Sequence, residues 1–221
     1  MSEPEILFFD EELIVCVKPA GFLSERGSGK NLPDALAPRF GEIRTVHRLD
    51  KNVGGVMAVA RTGFAAASLI GQIQRRETEK EYLAVVRGVP PEAAGTMTDL
   101  LFHDAGSNKT FVVERKRKGV REAVLHYAVL QTKDIGGEPC SLVRIRLETG
   151  RTHQIRVQFA SRRLPLLGDI RYGSKAPCEA SLWAFRLAFS HPKTKKRESY
   201  LRLPPDAFPW NEFDITEEKV G

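Results

Sequence analysis

The sequence predicts an α+β protein built on a mixed, mainly antiparallel central β-sheet flanked by helices. Short apolar runs bounded by Gly, Pro and Asp outnumber the stretches with helical periodicity. The helical stretches come singly, without the strand–helix–strand rhythm that builds a parallel sheet. One segment, SLVRIRLE at 141–148, alternates cleanly, with Val143, Ile145 and Leu147 on one side and Arg144, Arg146 and Glu148 on the other. No internal repeat and no low-complexity linker divides the 221 residues, so a single domain over 1–221 is expected.

From the N-terminal end, ILFFDEELIVCVKP reads as two short strands around the acidic turn Asp10-Glu11-Glu12, and Pro19-Ala20-Gly21 stops the pairing. A Gly- and Ser-rich loop at 27–30 leads to a short helix over Leu32–Phe40. Val53–Ala60 has no polar side chain, the pattern of a strand covered on both faces. Thr62 can cap a helix over Gly63–Arg75, with Phe64, Ala67, Ile70 and Ile73 at helical spacing. YLAVVR at 82–87 is the next strand, ended by Gly88 and Pro90-Pro91. Residues 96–130 read as antiparallel strands carrying a basic tip, ERKRKG. Gly150 breaks the alternating strand, and Thr152 can cap a helix in THQIRVQFASR.

Composition narrows the function classes. The chain is 42% hydrophobic and 28% charged, ordinary for a globular protein, and no apolar run approaches a membrane span. The first residues carry acids where a secretory leader needs positive charge. Three widely spaced cysteines (Cys16, Cys140, Cys178) make a disulfide framework unexpected and suit a reducing cytoplasm. The net charge of +6 leans toward polyanions. The excess gathers at Arg75-Arg76, Arg115–Lys118, Arg162-Arg163 and Lys193–Arg197, clusters that on charge alone are more often solvated faces than nucleic-acid contacts.

Motifs exclude more. The five histidines never fall at metal-ligand spacings, so no metal is expected. GxSxG, GxGxxG and GxxxxGK[ST] are all missing, which leaves no serine nucleophile elbow and no nucleotide-cofactor cradle; no cofactor is expected. Two stretches carry chemistry. TVHRLDKNVGGVMAVA (45–60) sets His47, Arg48 and Asp50 at the mouth of the covered strand. TGRTHQIRV (149–157) packs Arg151, His153, Gln154 and Arg156 where a strand ends and a helix begins, a geometry suited to an anion. The residues alone leave two readings open there, an anion site or a capped helix whose arginines pair with acids such as Glu148. Tyr82 reads as ordinary core packing.

In order along nearly the whole chain, these blocks resemble the RluA-type RNA pseudouridine synthases. ILFFDEELIVCVKPAGFLS is similar to the opening strand pair ending Lys-Pro-x-Gly, HRLD to the nucleophile motif and EKEYLAVVRG to the second motif. LETGRTHQIRVQFASRRLPLLGDIRYG resembles the third motif and its Leu-Gly-Asp extension; LWAFRLAFSHPKT resembles the closing strand. The resemblance implies the pseudouridine synthase catalytic fold and isomerisation of uridine in structured RNA, ribosomal or transfer, with the target base extruded. It places the catalytic aspartate at Asp50, its arginine partner at Arg156 and the active-site tyrosine at Tyr82. His47, Arg48, Arg151 and His153 become RNA contacts, and the basic tip and the Lys193–Arg197 run become outer backbone contacts. No S4-type RNA-binding segment is expected ahead of the first strand, and a monomer is the default.

The chain also departs from the family pattern. Val53-Gly54-Gly55 stands where Thr-Ser-Gly is common, Arg156-Val157 is followed by Gln158 rather than His, Trp183 stands where His is frequent, and Lys195 follows Lys-Thr where Gly is common. The lost hydroxyls motivate an alternative, an RNA-binding or RNA-chaperoning module on the same fold without activity. A cytosolic hydrolase using Asp50 with His47 lacks a second carboxylate or a serine motif.

Overall fold

A computed structural model describes residues 3–220. The elements run β1 (Glu5–Phe9), β2 (Leu13–Lys18), α1 (Leu32–Phe40), β3 (Arg44–Thr45), β4 (Gly54–Ala60) and α2 (Gly63–Gln74). There follow β5 (Glu79–Arg87), β6 (Ala94–Asp104), β7 (Lys109–Val113), β8 (Val120–Ile135) and β9 (Glu138–Leu147). Then come α3 (Gln154–Ser161), β10 (Leu182–Ser190), β11 (Arg197–Leu201) and α4 (Glu217–Val220). The class is the expected one, α+β with mostly antiparallel strand pairs. The chain separates into two compact units, one holding the residues up to Glu81 with Trp183–Arg202, the other Tyr82–Leu182 with the residues from Leu203 on.

In the first unit the strand order is β1-β2-β4-β10, with β3 also on β4 and β11 on β10. β4 pairs antiparallel with β2 and parallel with β10. All seven of its residues are buried, as a strand without polar side chains requires. The parallel pairing sets Gly55 opposite Ala184. A Cβ on Gly55, whose φ is +125°, would lie 2.2 Å from the Ala184 carbonyl oxygen, so only glycine permits this approach.

Thr62 caps α2 as expected, its Oγ1 accepting from the Ala65 N–H at 3.0 Å. The inward face is not the one the apolar spacing suggested. Ala65, Ala66, Leu69 and Gln72 are buried, while Phe64 is 57% exposed and Ile70 39%. Two alanines let the helix lie close against Val56, Ala58, Ala60, Leu187 and Phe189, where a phenyl ring has no room. Gln72 tolerates burial because both ends of its amide bond the Ser190 backbone, at 2.8 Å each.

In the second unit the order is β5-β9-β8-β6-β7, and the pairs β9–β8, β8–β6 and β6–β7 are antiparallel. α3 buries Val157 against Leu101 and Ala123. Its N-cap is His153 in the left-handed region (φ 54°), with no side-chain cap bond, so the expected Thr152 cap is not made. The Gln154 amide instead ties together the loop ahead of the helix. Its Oε1 accepts from Thr149 Oγ1 (2.8 Å) and the Arg151 N–H (3.0 Å), and its Nε2 donates to the Val124 carbonyl (3.2 Å).

Candidate active site

Asp50 sits in the first unit on the loop entering β4, and its main chain is fixed from several directions. The Val53 N–H donates to the Asp50 carbonyl at 3.0 Å, closing the turn. Ser24 Oγ both donates to the Leu49 carbonyl (2.8 Å) and accepts from the Leu49 N–H (2.9 Å). The Lys51 carbonyl accepts from the Gly21 N–H (2.8 Å) and from Lys18 Nζ (3.1 Å). Lys18 is fully buried, and its ammonium also reaches the carbonyls of Phe22 (2.7 Å) and Pro19 (3.0 Å). A buried cation persists only with such partners. Sequence reasoning marked the Lys-Pro-x-Gly block without seeing that its lysine braces the Asp50 loop.

His47 lies on the same loop. Its Nε2 accepts from the Ala58 N–H in β4 at 3.1 Å, which requires a neutral ring. Burial, aided by the nearby Lys80 ammonium, pulls its pKa down to about 3. The ring therefore ties the loop to the strand and brings no positive charge at neutral pH. Arg48 does bring charge; it is exposed and 3.7 Å from Glu25. A histidine depressed in the folded state binds its proton more readily when unfolded, so its contribution is complete above the unfolded value of about 6.5 and is lost as pH falls from there toward 3. The expected result is a urea midpoint that declines from pH 6.5 to pH 4, with a shallower decline in His47→Gln. Equal slopes would remove His47 as the cause.

Gly54 and Trp183, two of the departures from the family pattern, are in contact. A Cβ on Gly54 would stand 2.4 Å from Trp183 Cζ3 and 2.9 Å from Cε3. The indole is anchored by its Nε1–H, which donates to the Arg202 carbonyl at 2.8 Å. The missing side chain at 54 is thus the space that the larger ring at 183 occupies.

In the second unit Tyr82, on β5, is 7% exposed. Arg156, on the first turn of α3, makes a two-pronged ion pair with Asp169: Nε to Oδ2 is 2.7 Å and Nη2 to Oδ1 is 2.9 Å. The two side chains are 12% and 1% exposed. Arg156 Cζ lies 5.1 Å from the centre of the Tyr172 ring. The Tyr172 hydroxyl accepts from the Thr110 N–H and bonds His153 Nδ1, both at 2.9 Å. Burial is the main cause that raises the pKa of that hydroxyl. His153 is thereby a buried brace, whereas Arg151 is exposed, with Nε donating to the Glu122 carbonyl at 3.0 Å. Asp169, the partner of Arg156, was not singled out from the sequence. Its one signal in the sequence was its place in the Leu-Gly-Asp extension of the third motif.

Among the described residues no group of His, Cys, Asp and Glu side chains converges as a metal ligand set. No helix among them is long and apolar enough to cross a membrane.

The family described as RNA pseudouridylate synthase matches residues 12–161, a span that includes Asp50, Tyr82 and Arg156. The chain belongs to this family. An uncharacterised RNA pseudouridine synthase of Aquifex aeolicus is 34% identical over 210 residues, covering 85% of this chain and 65% of that protein. One from Synechocystis is 35% identical, covering 85% and 62%. Ribosomal large subunit pseudouridine synthase D of Vibrio cholerae is 33% identical over 226 residues, covering 91% and 67%. The chain thus spans just under two thirds of the first two synthases. Among solved structures, human RNA pseudouridylate synthase domain containing 1 superposes with a TM-score of 0.79 at 25% identity, over 93% of this chain and 85% of that one. Human domain containing 4, at 24% identity and a TM-score of 0.74, shares the fold.

Proposed function

We propose that this protein isomerises uridine to pseudouridine in structured RNA, and that residues 1–221 serve as one catalytic domain. The observation that carries the reading is the family match over residues 12–161, which takes in the HRLD block, Tyr82 and Arg156. Relatives named for the ribosomal large subunit favour ribosomal over transfer RNA.

In the proposed reaction the N1–C1′ bond of the target uridine breaks, the uracil turns, and a C5–C1′ bond forms; C5 loses one proton and the released N1 ends with one. Atoms and electrons balance within the nucleotide, so no external donor enters. Asp50 is the catalytic carboxylate, acting as nucleophile or as base at the sugar, and the clamped loop presents it without reorganisation. Arg156 supplies the compensating guanidinium. Tyr82 stacks on the extruded base, with its hydroxyl serving the C5 proton. Arg48 and Arg151, both exposed, take phosphates. His47 and His153, each committed to an internal bond, keep the loops that carry those arginines in place. The Arg115–Lys118 tip and the Lys193–Arg197 run extend the backbone contact. The thiols of Cys16, Cys140 and Cys178 are free, which suits the cytoplasm. A monomer suffices for these roles.

The test is direct. Purified protein, without added cofactor or divalent metal, is incubated with large-subunit ribosomal RNA and transfer RNA from cells lacking the gene, and pseudouridine is mapped. Discrete uridines should convert, and the same sites should be modified in wild-type cells. Binding without conversion in both RNA classes would favour the inactive RNA-binding alternative.

A further inference from the structure

We propose that Asp169 is the positioning residue of the catalytic arginine, which rests on the role given to Arg156 above. The side chain of Arg156 leaves α3 with several rotatable bonds and, unrestrained, samples many rotamers. Asp169 removes that freedom by engaging the Nε–Nη2 edge with both carboxylate oxygens, at 2.7 and 2.9 Å, a geometry that fixes the plane of the guanidinium as well as its distance.

Asp169 is itself held by its own loop. Its N–H donates to the Leu166 carbonyl (3.0 Å), and its carbonyl accepts from the N–H groups of Tyr172 (3.1 Å) and Ser174 (3.0 Å). The preceding Gly168, at φ +79°, lies so close to the next strand entry that a Cβ would stand 2.2 Å from the Glu179 carbonyl oxygen. Ser174 Oγ accepts the Gly168 N–H at 2.9 Å. The short 3-10 turn Ile170–Tyr172 then brings the Tyr172 ring against the guanidinium, and Thr110 locks that ring's hydroxyl. Thr110 Oγ1 donates in turn to the Thr152 carbonyl at 2.9 Å, two residues before α3 begins. Arg156 is therefore gripped by a carboxylate and an aromatic ring whose supports reach back to the loop that starts its own helix.

The arrangement also divides charge. A carboxylate at 169 takes up part of the guanidinium's positive field, so Arg156 can accompany a second carboxylate without holding it as tightly as an undivided arginine would. A nucleophile that must attack and later depart gains from that moderation.

The experiment measures single-turnover rate and KM for the modified RNA in wild type, Asp169→Asn, Asp169→Glu, Arg156→Lys and the double variant Asp169→Asn/Arg156→Lys. Asp169→Asn should lower kcat by roughly 10- to 100-fold, since misplacing a reacting group by about 1 Å can cost on the order of 10²-fold, with KM within about twofold. Asp169→Glu should recover part of the loss. Lysine cannot make the two-pronged pair, so the double variant should be no slower than Arg156→Lys alone. Wild-type kcat in Asp169→Asn, or losses that multiply in the double variant, would overturn the assignment. If Asp169→Asn does not fold, Asp169→Ser decides, since it removes the carboxylate and an unchanged kcat there overturns the assignment equally. A wild-type protein inactive on every RNA sinks the proposed function and this role together; an active one with a normal Asp169→Asn rate sinks this role alone.

Discussion

Asp50→Asn should yield protein that folds, binds RNA and forms no measurable pseudouridine. Removing a nucleophile or essential base costs on the order of 10⁴-fold or more in turnover. The fold should tolerate the change, because the bonds that clamp this loop use main-chain groups of Leu49, Asp50, Lys51 and Val53, all of which asparagine retains. Thermal unfolding is expected to shift by no more than the few degrees that about 1 kcal/mol produces in a chain of this size. RNA affinity, carried mainly by phosphate contacts, should stay within about threefold. Mass-spectrometric nucleoside analysis, a melting curve and a filter-binding titration check the three parts. Turnover near the wild-type rate would mean that residue 50 is not the catalytic group.

Gly55→Ala should be one of the most damaging methyl additions among the described glycines. The added carbon would overlap the Ala184 peptide, at 2.2 Å from its oxygen and 2.6 Å from its nitrogen, at a φ of +125° that L-residues rarely adopt. Relief requires β4 and β10 to separate where they pair in parallel, directly after the Asp50 turn. Main-chain clashes of this kind belong to the mechanisms that cost more than about 4 kcal/mol, a large share of the roughly 5–15 kcal/mol that stabilises a domain. Insoluble expression, or a urea midpoint lowered by more than half, is expected. A midpoint within error of wild type would show that the strand pairing adjusts freely here.

Much of this was legible in the residues because the signals were local. The bare apolar run of β4, the turn at Asp10–Glu12, the Leu32–Phe40 helix and the alternation in β9 each depend on neighbours in sequence. The α2 face was misread because apolar spacing favours large side chains, whereas close packing against β4 selected alanine and a glutamine satisfied by a strand edge. The start of α3 escaped because nothing marks a histidine for the left-handed region. Asp169 escaped because its partner lies 13 residues away across an irregular loop, where periodicity has no reach. The role proposed for Asp50 came through resemblance, since a lone carboxylate in a turn has no spacing of its own.

The indole of Trp183 resting on Gly54 makes the two positions depend on each other. With the ring anchored to the Arg202 carbonyl, any β-carbon at 54 collides with it. A side chain at 54 and the indole at 183 thus compete for one volume, and only one of them can fill it in this geometry. Grafting either residue alone between relatives should therefore behave asymmetrically: glycine at 54 opposite a small neighbour leaves only a gap, while serine at 54 opposite tryptophan is a steric conflict.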